Sequence, residues 1–293
     1  MNIRELEYYV KITEVKNLTL AAEQLYVTQP TLSKYIERLE DEVGTKLFEK
    51  VNRTIQLTYA GERYLEYAKK ILAIKHDLDL EMNMIVKENV GTLKIGIPAI
   101  RSGSLLPKVL PVYKKEYPEV DLQIIGGSSQ DIDAKLKEGK IDLAIYIQSE
   151  LQDEFNYEVI GNDKLGVILS PDHPLADQKG IYLNQIMDET ILIQKRSTRH
   201  GQLIQNLLEE RKFPFTKVVE DNNIMTTAIL AHNGYGVAFL SEAFIKNMGY
   251  EYCELLDADL SMKVVAAYRK ASTLPQYALR FIELAKEFSN KDE

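Results

Sequence analysis

Hydrophobic positions near the start of the chain recur at three- and four-residue spacing, in short blocks separated by polar residues. Ile3, Leu6, Tyr9, Val10 and Ile12 form one stripe and predict a helix over 3–15. "LTLAAEQLYVTQPTLSKYIERLE" at 18–40 predicts two more helices joined by "YVT". Thr19 is the expected N-cap of the first, which turns Ala21, Ala22 and Leu25 inward. Thr28 can cap the second, with Pro30 in its first turn, where a missing N–H costs nothing. Leu32, Ile36, Leu39 and Val43 make its buried face, and Gly44 ends it. Gln29, Thr31, Ser33, Lys34 and Arg38 are left over, neither packing nor forming a capping box.

"KLFEKVNRTIQLT" then reads as two short strands around a turn at 51–53, offering Leu47, Phe48, Ile55 and Leu57 to the core. From 58 to about 88 the pattern is helical, about 45 Å at roughly 1.5 Å per residue. Tyr64, Ala68, Ile71, Lys75, Leu78, Met82 and Ile85 alternate spacings of four and three, a heptad seam interrupted by Lys75. Such a seam is expected to pair two chains, through Tyr64, Ala68, Ile71, Leu78, Met82 and Ile85. Beyond Gly91, "TLKIGIP", "VDLQIIG" and "IDLAIYI" are buried-strand runs alternating with helical stretches at 105–116 and 131–138. "LGVILS", "TILIQ", "KVVED", "YGVAFLS" and "MKVVAAY" follow, with helices near 201–211, 224–232 and 275–288. This alternation predicts βαβ units, a mostly parallel sheet and two α/β lobes.

Composition changes the picture in two places. A net charge of −8 argues against coating nucleic acid nonspecifically, and residues 1–57 carry eight Lys or Arg against nine Asp or Glu. Any DNA contact must come from local placement of charge. The single cysteine, Cys253, cannot form an internal disulfide, and the start of the chain lacks an apolar signal core, so a cytoplasmic protein is expected.

A helix, a short connection and a second helix with exposed polar residues fit a helix-turn-helix, whose second helix enters the DNA major groove. Residues 17–61, "NLTLAAEQLYVTQPTLSKYIERLEDEVGTKLFEKVNRTIQLTYAG", resemble the winged helix-turn-helix of the LysR-type transcriptional regulators. The matching positions are Ala21, Ala22, Leu25, Gln29, Pro30, Ser33, Ile36, Leu39, Glu40, Gly44, Leu47, Phe48, Arg53, Leu57, Thr58 and Gly61. "GKIDLAI" at 139–145, "HPLA" at 173–176 and "GYGVAFLS" at 234–241 extend the resemblance along the chain. It implies an α/β protein with an N-terminal winged helix-turn-helix over 1–58, a long linker helix over 59–89, and a two-lobed effector domain resembling periplasmic binding proteins over 90–293. Lobe I would take about 90–161 and 268–293, and lobe II about 162–267. The resemblance further implies a homodimer or homotetramer on double-stranded promoter DNA, with RNA polymerase as a further partner and no cofactor. Gln29, Pro30 and Ser33 would face the major groove, Lys34 would hold phosphate, and Arg53 would lie along the backbone or minor groove. Thr19, Thr28, Thr31, Arg38 and Lys50 complete the expected DNA-facing set. Lys50 stands where the family usually has Arg, which keeps the charge but loses the bidentate fork.

In the resembling family an inducer binds between the lobes. The corresponding loops here are "AIRSGS" (99–104), "GGSS" (126–129), "QKRSTRHG" (194–201) and "EDNNIMT" (220–226). Ser102, Ser104, Ser128, Ser197 and Thr198 are hydroxyls near expected helix starts, and converging helix starts suit an anion. Arg101, Lys195, Arg196, Arg199 and His200 add positive charge, while Tyr146 and Met225 offer ring or apolar contacts. Asp221 would repel an anion if it faced inward. The expected effector set is Ile100, Arg101, Ser102, Ser104, Ser128, Ser129, Tyr146, Arg196, Ser197, Thr198, Arg199, Asn223 and Met225, and the expected effector a small organic anion.

Other classes fit less well. The chain contains no "GxSxG", "GxxxxGK(S/T)" or "HExxH", and its histidines, His76, His173, His200 and His232, are scattered. Neither catalysis nor a metal site is therefore expected. A solute-binding transport protein would leave the N-terminal segment unexplained. Cys253 has no resolving partner for a thiol switch.

Overall fold

In the computed structural model of the chain, the described residues are 2–51, 54–86, 90–148, 151–196, 198–213, 218–221 and 223–289, without the side chains of Lys50, Val51, Leu80 and 83–86. Two compact units form, one of residues 1–82 and 137–140, the other of 83–136 and 141–293.

The first unit starts with three helices, α1 (Ile3–Val15), α2 (Leu18–Gln24) and α3 (Gln29–Val43). Asn2 and Glu5 close a capping box on α1. Leu6, Tyr9, Val10 and Ile12 pack against Ala21, Ala22, Leu32, Tyr35, Ile36 and Leu39. Val43 falls outside this core at 44% exposure, because it is the last residue of α3, directly before Gly44 ends the helix in the left-handed conformation. Two four-residue strands, β1 (Phe48–Val51) and β2 (Thr54–Leu57), pair antiparallel with Phe48 opposite Leu57. Helix α4 spans Tyr59–Val86. Its first half belongs to the same core: Ala68 is buried, and Tyr64 and Ile71 pack beside it. This corrects the expected seam, since those three residues are used within their own chain. The exposed apolar stripe of α4 is instead Tyr67, Ile74, Leu78 and Met82, and Ile85 lies outside the described side chains.

The second unit alternates strand and helix: β3 (Gly91–Gly96), α5 (Ala99–Glu116), β4 (Val120–Ile125), α6 (Ser129–Lys137), β5 (Leu143–Ile147) and β6 (Phe155–Ile168). Then come β7 (Gly180–Ile181), β8 (Ile191–Gln194), α7 (Arg199–Glu210), β9 (Val218–Asp221), α8 (Ile224–His232) and β10 (Val237–Ser241). The chain continues through α9 (Glu242–Met248), β11 (Glu254–Leu255), β12 (Ser261–Arg269) and α10 (Gln276–Ser289). Among the described residues, an eight-stranded sheet runs β4-β3-β5-β12-β6-β10-β8-β9.

Its flanks are parallel, as the alternating pattern predicts, but its centre is antiparallel: β12 pairs with β5 and β6, and β6 with β10. Strand β6 crosses from one half of the sheet to the other. Sequence pattern reveals only its second half, because Asn156, Gly161, Asn162 and Asp163 break the apolar run. The β6–β12 register slips between Val264 and Val265, a bulge where the crossing begins. Each half buries its own core. One is centred on Leu93, Ile95, Val109 and Phe281, the other on Val167, Ile191, Ile204 and Phe239.

Helix α5 begins six residues earlier than the pattern predicts, with Pro98 as N-cap and no side-chain cap. Ser102 and Ser104 therefore lie inside the helix, where their hydroxyls donate to the carbonyls of Ala99 (3.0 Å) and Arg101 (3.2 Å).

Candidate nucleic-acid interface and ligand cavity

The polar residues left over at the start of α3 are on the surface. Thr28, Gln29, Pro30, Thr31 and Lys34 are exposed, and Ser33 is half-buried. They bond among themselves: Gln29 Nε2 donates to Ser33 Oγ at 2.8 Å, and the Thr28 and Thr31 hydroxyls share a bond of 2.8 Å. Thr28 is the N-cap by position but makes no cap bond with its side chain. The amides of Thr31 and Leu32 both reach the Thr28 carbonyl. The Gln29 amide is thus the open donor of this first turn, since Pro30 has none.

Asn17, not Thr19, caps α2. Its Oδ1 accepts the amides of Thr19 (3.0 Å) and Leu20 (3.1 Å), a reach that leaves Thr19 exposed in the first helical turn. Arg38 is already engaged, ion-paired with Glu5 and 3.9 Å from Glu42. Lys50 lies outside the described side chains, and Arg53 outside the described residues. Periodicity gives no hint of Tyr26, which is 95% exposed at the turn between α2 and α3 with φ +55°.

The strand pair is tied to α3 through Glu40. This buried carboxylate accepts the amides of Leu47 (2.9 Å) and Phe48 (3.1 Å) and the Lys46 ammonium (2.7 Å). Burial alone would raise its pKa. The bonds from Lys46, Phe48 and Leu47 outweigh burial and hold it below the ordinary carboxylate value.

In the second unit, four helix starts surround one cavity of about 420 Å³: Pro98 to Arg101 of α5, Gly127 to Ser129 of α6, Thr198 to His200 of α7, and Ile224 of α8. Tyr146 and Ile147 of β5 and Gln194 of β8 close it. Each start is capped differently. At α6, Ser128 and Asp131 cap each other, the hydroxyl donating to the carboxylate at 2.6 Å, and these bonds lower the Asp131 pKa. At α7, Thr198 Oγ1 accepts the Gly201 amide at 3.0 Å. At α8, Asn223 Oδ1 accepts the Met225 amide at 3.0 Å. The α5 start has only its backbone.

Of the expected effector residues, Ile100, Arg101, Ser128, Ser129, Tyr146, Thr198 and Arg199 line this cavity. Ser102 does not, and Ser104 lines a different depression of about 520 Å³ with Lys108, Asn162, Lys164 and Lys246. Arg196 is exposed and ion-paired with Glu209, so it is also absent from the lining, as are Asn223 and Met225. Ser197 lies outside the described residues.

The expected charge is largely spoken for. Arg101 is buried and ion-paired with Asp163, which also accepts the Ser241 hydroxyl at 2.6 Å. His200 is buried beside that pair and neutral rather than cationic: burial drives its pKa down, with the Arg101 charge acting in the same direction and Asp163 opposing. Asp221 accepts the Asn223 amide at 3.1 Å in the turn before α8. Pro98, Ala99, Gly127, Ile147, Gln194, His200 and Ile224 complete the lining. Sequence alone marks His200 only as added positive charge; Ala99, Gly127, Gln194 and Ile224 fall in the loops it singles out, and Pro98 and Ile147 fall outside them.

Comparison with known proteins decides what these two sites belong to. Residues 3–62 match the profile of the bacterial regulatory helix-turn-helix protein, lysR family, and residues 87–290 match the LysR substrate binding domain. The chain belongs to the LysR family of transcriptional regulators. It is 27% identical over 275 residues to the HTH-type transcriptional regulator BenM of Acinetobacter baylyi, covering 92% of this chain and 90% of that one. A full-length OxyR variant from Pseudomonas aeruginosa superposes with a TM-score of 0.74 at 22% identity, covering 99% and 95% of the two chains. Full-length CbnR, solved with its target DNA, gives a TM-score of 0.67 at 17% identity over 98% and 100%. These likenesses establish a LysR-type fold, with a DNA-binding helix-turn-helix and a two-lobed effector domain. Among the described residues no helix is long and apolar enough to cross a membrane, and no cluster of His, Cys, Asp or Glu could hold a metal ion.

Proposed function

We propose that this LysR-family regulator binds promoter DNA as a homo-oligomer in the cytoplasm and responds to a small organic anion held in the 420 Å³ cavity. The convergence of four helix starts on that cavity carries the reading, because free amides and helix dipoles there favour negative charge. The uncapped start of α5 is the strongest of the four: α6 already holds the Asp131 carboxylate, while the Ala99 and Ile100 amides have no intrahelical acceptor. The apolar walls from Ile100, Tyr146, Ile147 and Ile224 suit an organic body behind the acid group.

Residues 1–58 serve as the winged helix-turn-helix, 59–89 as the linker and 90–293 as the effector domain. Gln29, Pro30, Thr31 and Ser33 read the major groove, with Lys34 on phosphate and Lys50 and Arg53 on the flanking backbone. The exposed stripe Tyr67, Ile74, Leu78 and Met82 on α4 pairs with a second copy, as a dimer or within a tetramer. RNA polymerase is the partner through which bound promoter is read. A selection of genomic fragments on the purified full chain tests the DNA part. An imperfect inverted repeat should be enriched, with half-sites about one or more helical turns apart. Recovery of no common sequence would contradict it.

A further inference from the structure

Arg199, the first residue of α7, is the cavity's least surface-like cation after Arg101, and it is held by three partners. Its guanidinium lies 4.1 Å from the centre of the Tyr146 ring. Nη1 donates to the Ile147 carbonyl, and Nη2 to Asp133 Oδ2 at 3.1 Å. Both side chains of the ion pair are largely buried, at 12% and 14% exposure. Asp133 belongs to α6 and does not line the cavity, whereas Arg199, Tyr146 and Ile147 do.

Two features set this pair apart from a finished structural salt bridge. Among the described residues, the other carboxylate oxygen, Asp133 Oδ1, and the buried Tyr146 hydroxyl close no well-formed hydrogen bond, although the two groups face each other closely enough that, after burial, the carboxylate helps to raise the tyrosine pKa. Asp133 therefore meets the guanidinium through one oxygen, with Gln152 Nε2 at 3.2 Å on that same oxygen. A guanidinium fork is best satisfied by both oxygens of a carboxylate. Arg101 offers no equivalent, because its partner Asp163 is additionally tied to Ser241 and to the Lys164 amide at 2.9 Å.

We propose that Arg199 is the side chain that recognises the effector's acid group, and that Asp133 is a built-in competitor which occupies it in the empty cavity. The proposal rests on the reading of the 420 Å³ cavity as the effector site, and it names the ligand class as a monocarboxylate with an apolar body. When the acid arrives, Arg199 exchanges a one-oxygen internal partner for a two-oxygen external one. The released Asp133 lies beside Tyr146, whose hydroxyl already faces it and can then close a full hydrogen bond to it. Affinity for the acid is set by the difference between these two partners, so the carboxylate of Asp133 tunes how much effector is needed.

Calorimetry on the full chain tests this with hexanoate and, as the neutral control, hexanamide. Asp133→Asn keeps the side-chain size and removes the competing charge. It should bind hexanoate about tenfold more tightly than the parent, while the affinity for hexanamide stays put. Arg199→Gln in the same background should abolish the gain. An unchanged or weaker hexanoate affinity in Asp133→Asn overturns the proposal, as does an equal gain for hexanamide or no hexanoate binding to either protein. Far-UV dichroism and a melting curve confirm that each variant is folded. Ile100→Trp, which fills the cavity from its rim, separates this failure from that of the wider reading. If Asp133→Asn gains affinity and Ile100→Trp leaves it intact, the acid sits elsewhere and the effector cavity itself is misplaced.

Discussion

The carboxylate of Glu40, near the end of α3, accepts the amide of Leu47, where the strand pair begins, at 2.9 Å. One buried acid thus ties the second helix of the helix-turn-helix to the strands that follow it. Glu40→Gln keeps the shape but halves the acceptor capacity for three donors. It should destabilise the first unit by about 1–3 kcal/mol, the range for leaving a buried donor unsatisfied. The pH dependence follows from the lowered pKa. Stability from Glu40 is complete above the ordinary carboxylate value of 4.5 and is lost as pH falls from there through the lowered folded value. Melting curves between pH 7 and pH 3 should be flatter at the acid end for the Gln variant.

Gly61 supplies an opposite case, in which local preference points the wrong way. It sits in the first turn of α4, where Ala would ordinarily be favoured over Gly by about 1 kcal/mol. A Cβ there would lie 2.1 Å from the Leu47 carbonyl oxygen, while the Gly61 carbonyl accepts the buried Tyr9 hydroxyl at 2.9 Å. Backbone cannot yield as a flexible side chain does. Gly61→Ala should cost about 1–3 kcal/mol in a denaturant titration.

Along α4, two substitutions should separate packing from association. Leu78→Glu places a charge on the exposed stripe, so the folded chain should dissociate and lose operator affinity by about tenfold or more as its half-sites become unlinked. Ala68→Glu, at a position 1% exposed, should unfold the first unit instead. Light scattering with circular dichroism distinguishes the two outcomes.

On the DNA face, Arg38 and Lys34 should behave differently although both are exposed cations of α3. Arg38 is engaged by Glu5, so Arg38→Ala should change operator affinity little. Lys34→Ala should weaken all sequences alike and reduce the salt slope by about one. Ser33→Ala should lower discrimination between operator and random DNA by about 1–3 kcal/mol. Competition titrations at several salt concentrations report all three.

How far these features could be read from residues alone depends on whether a signal is local. The stripe on α1 and the Leu32–Ile36–Leu39 face of α3 were legible, because helical periodicity and burial agree there. The N-cap of α2 was misplaced by two residues because Asn17 and Thr19 both have the chemistry, and only geometry shows which reaches the open amides. Tyr64, Ala68 and Ile71 share one heptad spacing with Leu78 and Met82, which are exposed, so spacing cannot tell own core from partner surface. At the cavity, loop composition marked the four segments that hold the helix starts, though not the early start of α5 or the state of their charges. Arg101, Arg196 and His200 look alike as local cations, yet they become a buried ion pair with distant Asp163, a surface pair with Glu209 and an imidazole that burial keeps neutral.

In the proposed function, occupancy of the cavity governs how the protein holds its operator. The direct measurement is a nuclease footprint on the selected operator, with and without the small-molecule fraction of the source cells, for the parent and for Ile100→Trp. The parent footprint should change in extent or affinity when that fraction is added, and the cavity-filled variant should bind DNA without responding. A response that survives in Ile100→Trp at the parental concentration would place the effector elsewhere and contradict the account.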